Sequence, residues 1–300
     1  MTVFDYYLLQ NSYHNSFLHN MALIIGVAII VGFLGIFFPK AQPTVSRKNI
    51  FYDFFSMLFV KFGLVSIFFW ITHIFQSNFN VIITTKLEIY PLLSYFNFSV
   101  FLSLIIYLVI RDFGQWIKHR TMHKIPCLWA LHKIHHANTS LSMFSDYRLH
   151  VIEVLLGTFV TYLTLMIVAY PIEFAFIAIS LEEAVSLINH SNLRMNYGNI
   201  FSKIIVSPQN HRIHHARDQK YLKDGDAYNF SVILPIWDII FGSYYNNIQD
   251  YPSKTGVIEE EELERSAIIK QQLIGIRDFF AALRKDFNRI FARKGFNYHI

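Results

Sequence analysis

A single cysteine in 300 residues, Cys127, excludes an intrachain disulfide framework and fits a reducing compartment. Its simplest role is that of a small buried apolar residue. Charge is scarce as well: Asp, Glu, Lys and Arg make up 16% of the chain, against about 25% in an average soluble domain. No Gly-x-Gly-x-x-Gly stretch offers a flavin or nicotinamide site, no Cys-x-x-Cys or ferredoxin cysteines offer a redox centre, and no His-Pro-Gly-Gly offers a haem. The His-Glu-x-x-His of zinc proteases is missing, and no low-complexity histidine tract suggests a metal buffer. The net charge of +5 is modest, and no nucleic-acid partner is expected.

What the chain has is apolar length and histidine. Hydrophobic residues form 53% of it, with 30 phenylalanines. Three apolar spans run over Met21–Phe38, Ser56–Phe75 and Tyr95–Ile110, and a fourth stretch, Val151–Ile188, is broken at Tyr170-Pro171. The spans, and each half of the fourth stretch, are near the roughly 20 residues a bilayer crossing needs, and the fourth stretch reads as an out-and-back hairpin. The first span does not read as a cleavable signal peptide, because residues 1–20 hold no Lys or Arg and no small-residue cleavage site follows. Lys40, Arg47 and Lys48 follow the first span, and Arg111, Lys118, Arg120, Lys124, Lys133 and Arg148 follow the third. The positive-inside rule therefore sets residues 39–55 and 111–150 in the cytoplasm.

Nine histidines stand in four groups after these stretches: His119 and His123, then His132, His135 and His136, then His190, then His211, His214 and His215. Residues three and four apart share a helix face, so each multi-histidine group aims its imidazoles at one point. Neutral imidazole is the commonest metal ligand, and so many converging rings imply two metals at one membrane face. The lone His14, His19, His73 and His299 read as ordinary polar residues.

These residues carry a resemblance. The chain resembles the fatty acid hydroxylase/sterol desaturase superfamily of integral-membrane, histidine-rich di-iron oxygenases, over roughly residues 95–247. The matching positions are Asp112 and Trp116 before His119-Arg120 and His123, then Pro126 and Leu128-Trp129 before His132, His135 and His136. They continue with Arg148, His150 and Glu153, with His190-Ser191-Asn192, and with Pro208 before His211, His214 and His215. Pro235, Trp237-Asp238 and Phe241-Gly242-Ser243-Tyr244 close the match. The resemblance implies that His119, His123, His132, His135, His136, His190, His211, His214 and His215 bind two Fe ions, with O2 as co-substrate. Zinc can replace iron in a purified sample. It further implies hydroxylation, in preference to desaturation, of a membrane lipid such as a fatty acyl, sphingoid or sterol-like substrate. A catalytically inactive lipid-binding scaffold, or a metal- or haem-handling membrane protein, is the alternative reading.

Two departures from the family concern the remaining ligand. The third group offers only His190, so water, Asn192 or His150 is left to complete the second iron's shell, and His150 precedes Val151 where the family commonly has proline. Asp112, His150, Glu153, Asn192 and Asp238 are the candidates for orienting the ligands from behind, with Asp146, Asp226, Glu182 and Glu183 beside them. Glu182 and Glu183 fall in an apolar segment, where a carboxylate needs a partner or a polar cavity. Phe98, Phe101, Tyr107 and Phe159 can line a chain-binding groove, although plain packing explains them as well. Electrons must come from a separate ferredoxin or b-type cytochrome with its reductase, for which Arg217, Lys220 and Lys223 offer a basic docking face.

The expected fold is all-α: four to five membrane-inserted helices, in a bacterial inner membrane or the endoplasmic reticulum, under a cytosolic helical cap. Residues 1–110 form the N-terminal helices, and 111–250 the histidine-rich domain with its inserted hairpin at 151–188. Residues 251–300 carry an amphipathic helix in which Ile269, Leu273, Ile276, Phe280, Leu283, Phe287 and Ile290 step by four and three. That helix is expected to start acidic near residue 257, at Glu259–Glu262 and Glu264, and to pack on the cytosolic domain.

Overall fold

The computed structural model describes residues 22–42, 45–60, 100–168, 172–223, 226–247, 249–252, 254–257, 263 and 266–293. Helix α1 covers 22–37 and α2 covers Arg47–Leu58, the latter capped by Ser46, whose hydroxyl accepts from the Asn49 amide. Most of the second apolar span, from residue 61 on, lies outside the described residues, as do His14, His19, His73, His299 and Phe98. Among the described residues no helix is long and apolar enough to cross a membrane.

Helix α3 runs over Val100–Lys124 without a break, so the third apolar span continues directly into the segment bearing His119 and His123. It stops where it must: a residue before proline is pushed out of the helical region, and Ile125 is extended with ψ 117°. Pro126 then opens α4, Pro126–His136, at the position where its missing N–H costs nothing. This proline corner folds α4 back against α3 and brings the first two histidine groups together.

A 3₁₀ turn at Met143–Tyr147 leads to α5, Val151–Val168, and α6, Ile172–His190. Helix α5 packs along α3 at Gly114, where an added Cβ would lie 2.8 Å from Val160 Cγ1. The hydroxyls of Thr158, Thr161 and Thr164 in this apolar helix bond back to the carbonyls four residues earlier, at 2.8, 3.0 and 2.7 Å. Helix α7 is one turn, Gly198–Phe201, and α8 covers Pro208–His214. Ser207 and Asn210 form a reciprocal cap on α8, and Pro208 takes its first position. A two-stranded hairpin pairs Leu222–Lys223 (β1) with Asp226–Ala227 (β2), and α9 is Ile236–Ile240. Among the described residues the regular structure is helical apart from that hairpin and two isolated bridges, Lys40 to Leu193 and Ala216 to Thr255, with irregular loops between.

The last helix, α10, departs from expectation in two ways. It begins at Ile268, not near 257, with no acidic residue in its first turn, and Glu259–Glu262 and Glu264 lie outside the described residues. It does pack on the histidine domain, against α4, but through Gln271, Ile274 and Gly275. The apolar stripe faces outward, with Ile269 76% exposed and Leu273 and Phe280 each 62%. Hydrophobic spacing identifies a stripe; it does not say which side of the helix meets a neighbour.

Candidate metal centre

The nine histidines sort into two buried sets. His119, His123, His132, His136 and His214 form one, and His135, His190, His211 and His215 the other, with the ligand atoms of each set within 4.8 Å of one another. Helix α4 feeds both: His132 and His136 lie one turn apart and enter the first set, while His135 turns to the second. Helix α8 does the same with His214 and His211. The sets abut, since the rings of His136 and His215 stack at 4.3 Å.

The ring nitrogens divide by role. His119 Nδ1 lies 2.8 Å from the Phe230 carbonyl, His214 Nδ1 2.8 Å from the Tyr228 carbonyl, and His190 Nδ1 2.9 Å from the Ser186 carbonyl. A carbonyl only accepts, so each Nδ1 carries the proton and each Nε2 keeps a bare lone pair. His132 Nδ1 is 2.8 Å from Glu153 Oε1, and this carboxylate fixes the same tautomer. The Nε2 atoms gather inward: His190 to His211 at 2.9 Å and to His135 at 3.3 Å, His215 to His211 at 3.1 Å, and His136 to His123 at 3.1 Å and to His214 at 3.2 Å. His119 Nε2 and His132 Nε2 are buried without a protein partner. Burial, reinforced by the neighbouring imidazoles, holds His119, His123, His135, His136, His211 and His215 well below their ordinary pKa, and His214 down to about 3. Neutral rings with converging lone pairs fit cations of the imidazole-loving kind.

The acidic candidates divide by distance from the rings. Glu153 touches one directly. Asp238 accepts from Trp116 Nε1 at 3.0 Å, the Phe230 and Ser231 amides at 3.0 and 2.8 Å, and Ser243 Oγ at 2.7 Å. It thereby fixes the loop whose carbonyls receive His119 and His214. Asp112 does likewise for the Ile233 and Leu234 amides and Trp237 Nε1, and burial raises its pKa to about 6. Asp226 stands 3.8 Å from His123 Nδ1, and Asp146 3.5 Å from His190 Nδ1. Glu182 pairs with Arg111, and Glu183 accepts from Tyr147, so each carboxylate has found a partner.

Asn192 and His150 are placed elsewhere. Asn192 bonds Gln42 through both ends of its amide, at 2.9 Å each. His150 has Nε2 3.1 Å from the Gln272 carbonyl and accepts from the Ile152 amide at Nδ1, so neither nitrogen is left for a metal. Of the aromatic candidates, Tyr107 is fully buried and Phe159 is 63% exposed, and neither lines the cavity beside the histidines. Of the expected docking lysines, Lys220 pairs with Asp250 at 2.9 Å and Lys223 donates to the Gly242 carbonyl at 2.6 Å.

Asn229 carries no motif, yet it shapes the first set. Its φ of 58° turns the chain so that the carbonyls on either side, Tyr228 and Phe230, both face histidines. Its side chain locks the turn through the Asn210 carbonyl at 3.1 Å and the Tyr245 carbonyl and amide at 2.9 and 2.8 Å. Asparagine is among the few residues that tolerate this left-handed conformation.

Glu153→Ala is expected to weaken metal affinity about 10- to 100-fold, the usual effect of removing a carboxylate behind a ligand imidazole. Glu153→Gln, which keeps an acceptor at Oε1, should lose less. Competition with a coloured chelator measures both.

Converging imidazoles on a helical scaffold define a protein with a histidine-rich candidate metal centre. The fatty acid hydroxylase profile matches residues 104–243, and this part of the chain belongs to the fatty acid hydroxylase superfamily. The chain is similar to the ornithine lipid hydroxylase OlsE of Rhizobium tropici, 29% identical over 50% of this chain and 43% of that protein. It is 28% identical to alkylglycerol monooxygenase of Homo sapiens over 44% of this chain and 28% of that protein. Fatty acid hydroxylase vlmA of a Lecanicillium species is 25% identical over 51% of this chain and 44% of that protein. The matches thus span less than half the length of these relatives. No solved structure matches the chain.

Proposed function

We propose that the chain is a membrane-embedded di-iron oxygenase that hydroxylates a membrane lipid. One observation carries the reading. A cavity of about 310 Å³ between α3, α5 and α6 reaches His119 and His132 of the first set and His135, His190 and His211 of the second. A chain-like substrate entering between these apolar helices would meet both metal positions at once. Relatives named for hydroxylating or oxygenating lipids support this class of reaction, and hydroxylation over desaturation.

A bilayer setting has support of its own. Ile29, Phe33, Ile36 and Phe37 on α1, Phe51 and Phe55 on α2, and Phe159 on α5 expose their side chains, more apolar surface than a soluble monomer normally leaves to water. The basic residues after the first and third spans support a cytoplasmic position for the histidines.

Bound at the two sets, irons would supply O2 activation and removal of hydrogen from an unactivated C–H bond. The chain's own residues prepare the place. Glu153 and the carbonyls of Ser186, Tyr228 and Phe230 hold four rings with Nε2 inward. Arg111 pairs with Glu182, and the neutral Tyr147 hydroxyl donates to Glu183, so each of these two carboxylates on the cavity wall is met by a donor. Electrons come from a separate ferredoxin or b-type cytochrome with a reductase.

The test is lipid analysis of cells expressing the wild type or His135→Ala under isotopically heavy dioxygen. A lipid gaining one heavy oxygen atom only with the wild type supports hydroxylation. Loss of two hydrogens without added oxygen would make the enzyme a desaturase. No change in any lipid, in cells that supply iron and a reductant, would sink the oxygenase and favour a lipid-binding scaffold.

A further inference from the structure

We propose that Lys118 is a specificity-determining residue that binds an uncharged oxygen of the substrate, an amide, ester or hydroxyl oxygen on the lipid, inside the cavity beside the histidines. The inference rests on the reading that this cavity admits a lipid. It narrows that lipid from a plain hydrocarbon chain to one that carries a neutral polar group.

Sequence and packing together place the ammonium. Arg111, Gln115 and Lys118 step by four and three along one face of α3, and all three line the cavity. Gly157 of α5 lines it as well, and a Cβ at that position would lie 3.5 Å from Lys118 Nζ. The absence of a side chain at Gly157 thus leaves room for the lysine head. The other two residues of the face are engaged, Arg111 with Glu182 and Gln115 Nε2 with the Gly157 carbonyl at 3.5 Å. Lys118 makes no hydrogen bond or ion pair to any described residue. The acceptors around it have donors of their own. The Gly157 carbonyl takes Thr161 Oγ1 at 3.0 Å, Asp146 Oδ1 takes Ser186 Oγ at 2.7 Å, and Glu153 Oε1 faces His132 Nδ1 at 2.8 Å. An ammonium drawn in among apolar helices is costly unless something supplies acceptors, and its three donors are open to whatever enters the cavity.

Charge decides what it can bind. The charges that act on Lys118 are those of Glu153, Arg111 and Asp146. A carboxylate or phosphate held by the lysine would lie among Glu153 and Asp146, and a lipid ammonium would be repelled by Lys118 and Arg111. A neutral oxygen suffers neither repulsion and accepts a charge-assisted hydrogen bond, stronger than one between neutral groups. Glu153 is the competitor within the chain, because its Oε2 is buried without a hydrogen-bond partner, yet no ion pair joins it to Lys118.

The test is photolabelling of the full chain in nanodiscs, loaded with zinc so that binding is read without turnover. The probes are hexadecanamide, hexadecanoate and hexadecane, each with a diazirine at the same mid-chain carbon. Mass spectrometry counts adducts on cavity residues relative to adducts on the exposed Ile29 and Phe33 of α1, which corrects for partition into the bilayer. The amide should label the cavity about tenfold more than the hydrocarbon, the usual worth of a hydrogen bond to a charged group, and the carboxylate no better than the hydrocarbon. Lys118→Met should erase the advantage of the amide, and Lys118→Arg should keep most of it. Gly157→Ser, which offers Nζ a hydroxyl of its own, should reduce the advantage with the charge still in place, and it decides the matter should the methionine variant not fold. An advantage that survives Lys118→Met would overturn the proposal, and weaker metal binding in that variant would then mark Lys118 as the counter-ion of Glu153. Stronger labelling by the carboxylate than by the amide would overturn it too. Equal labelling by amide and hydrocarbon in the wild type sinks the role of Lys118 and leaves the oxygenase intact, whereas no cavity labelling by any probe removes lipid entry itself.

Discussion

His135→Ala should lower the metal content of iron-supplied protein from about two ions per chain to about one, whereas His214→Ala should weaken binding with a smaller loss. The asymmetry follows from the division of the rings. His135 belongs to the set of four, and its removal leaves three imidazoles, fewer than a closed tetrahedral site requires. His214 belongs to the set of five, and four rings remain without it. Elemental mass spectrometry after dialysis against a mild chelator reads the difference. If the two variants lose both metals together, the sets assemble as one cooperative centre, consistent with the stacked His136 and His215. If neither loses metal, the two-set arrangement does not bind ions and the oxygenase falls with it.

A histidine centre was legible because helical spacing is a strong signal, but only HRTMH keeps its rings in one set, whereas HKIHH and HRIHH each divide theirs between the two instead of aiming at one point. The helix boundary at Ile125-Pro126 emerges only in the structure, where proline fixes the end of α3 and the start of α4. What the sequence hid are the groups that act on the histidines from the backbone or from far along the chain. The carbonyls of Tyr228, Phe230 and Ser186 leave no trace in composition. Asn229 reads as one more polar loop residue until its left-handed φ is seen. Asn192 and His150 lie beside motif residues, yet their polar atoms are taken by Gln42, Gln272 and the Ile152 amide. Only the packing of Gln271 and Ile274 shows which face of α10 turns inward.

Asp53 is the clearest residue hidden in this way, and replacing it should have the largest effect on stability. It sits on α2, 95 positions from its main partner, with no motif to mark it. Its carboxylate is fully buried and accepts from Arg148 Nε at 2.7 Å, Ser145 Oγ at 2.7 Å, Asn138 Nδ2 at 3.0 Å and Ser142 Oγ at 3.1 Å. Arg148 is 1% exposed, so Asp53→Ala would strand a guanidinium that has no route to water. Removing one partner of a buried ion pair costs about 3–5 kcal/mol, and the unfolding midpoint should fall on the order of 10 °C. Asp53→Asn keeps the shape and the acceptor oxygen and should cost less. The damage should reach the histidines as well, because Asn138 lies two residues beyond His136 and is held by Asp53, by Asn49 at 2.9 Å and by Ser145 at 2.8 Å. Asp53→Ala protein that remains folded in the cold should therefore bind metal more weakly than the wild type, although residue 53 touches no imidazole. Thermal unfolding and chelator competition on the same sample separate the two effects. Unchanged stability would mean that Arg148 finds another anion, and the network around Asn138 would then not be what holds the end of α4.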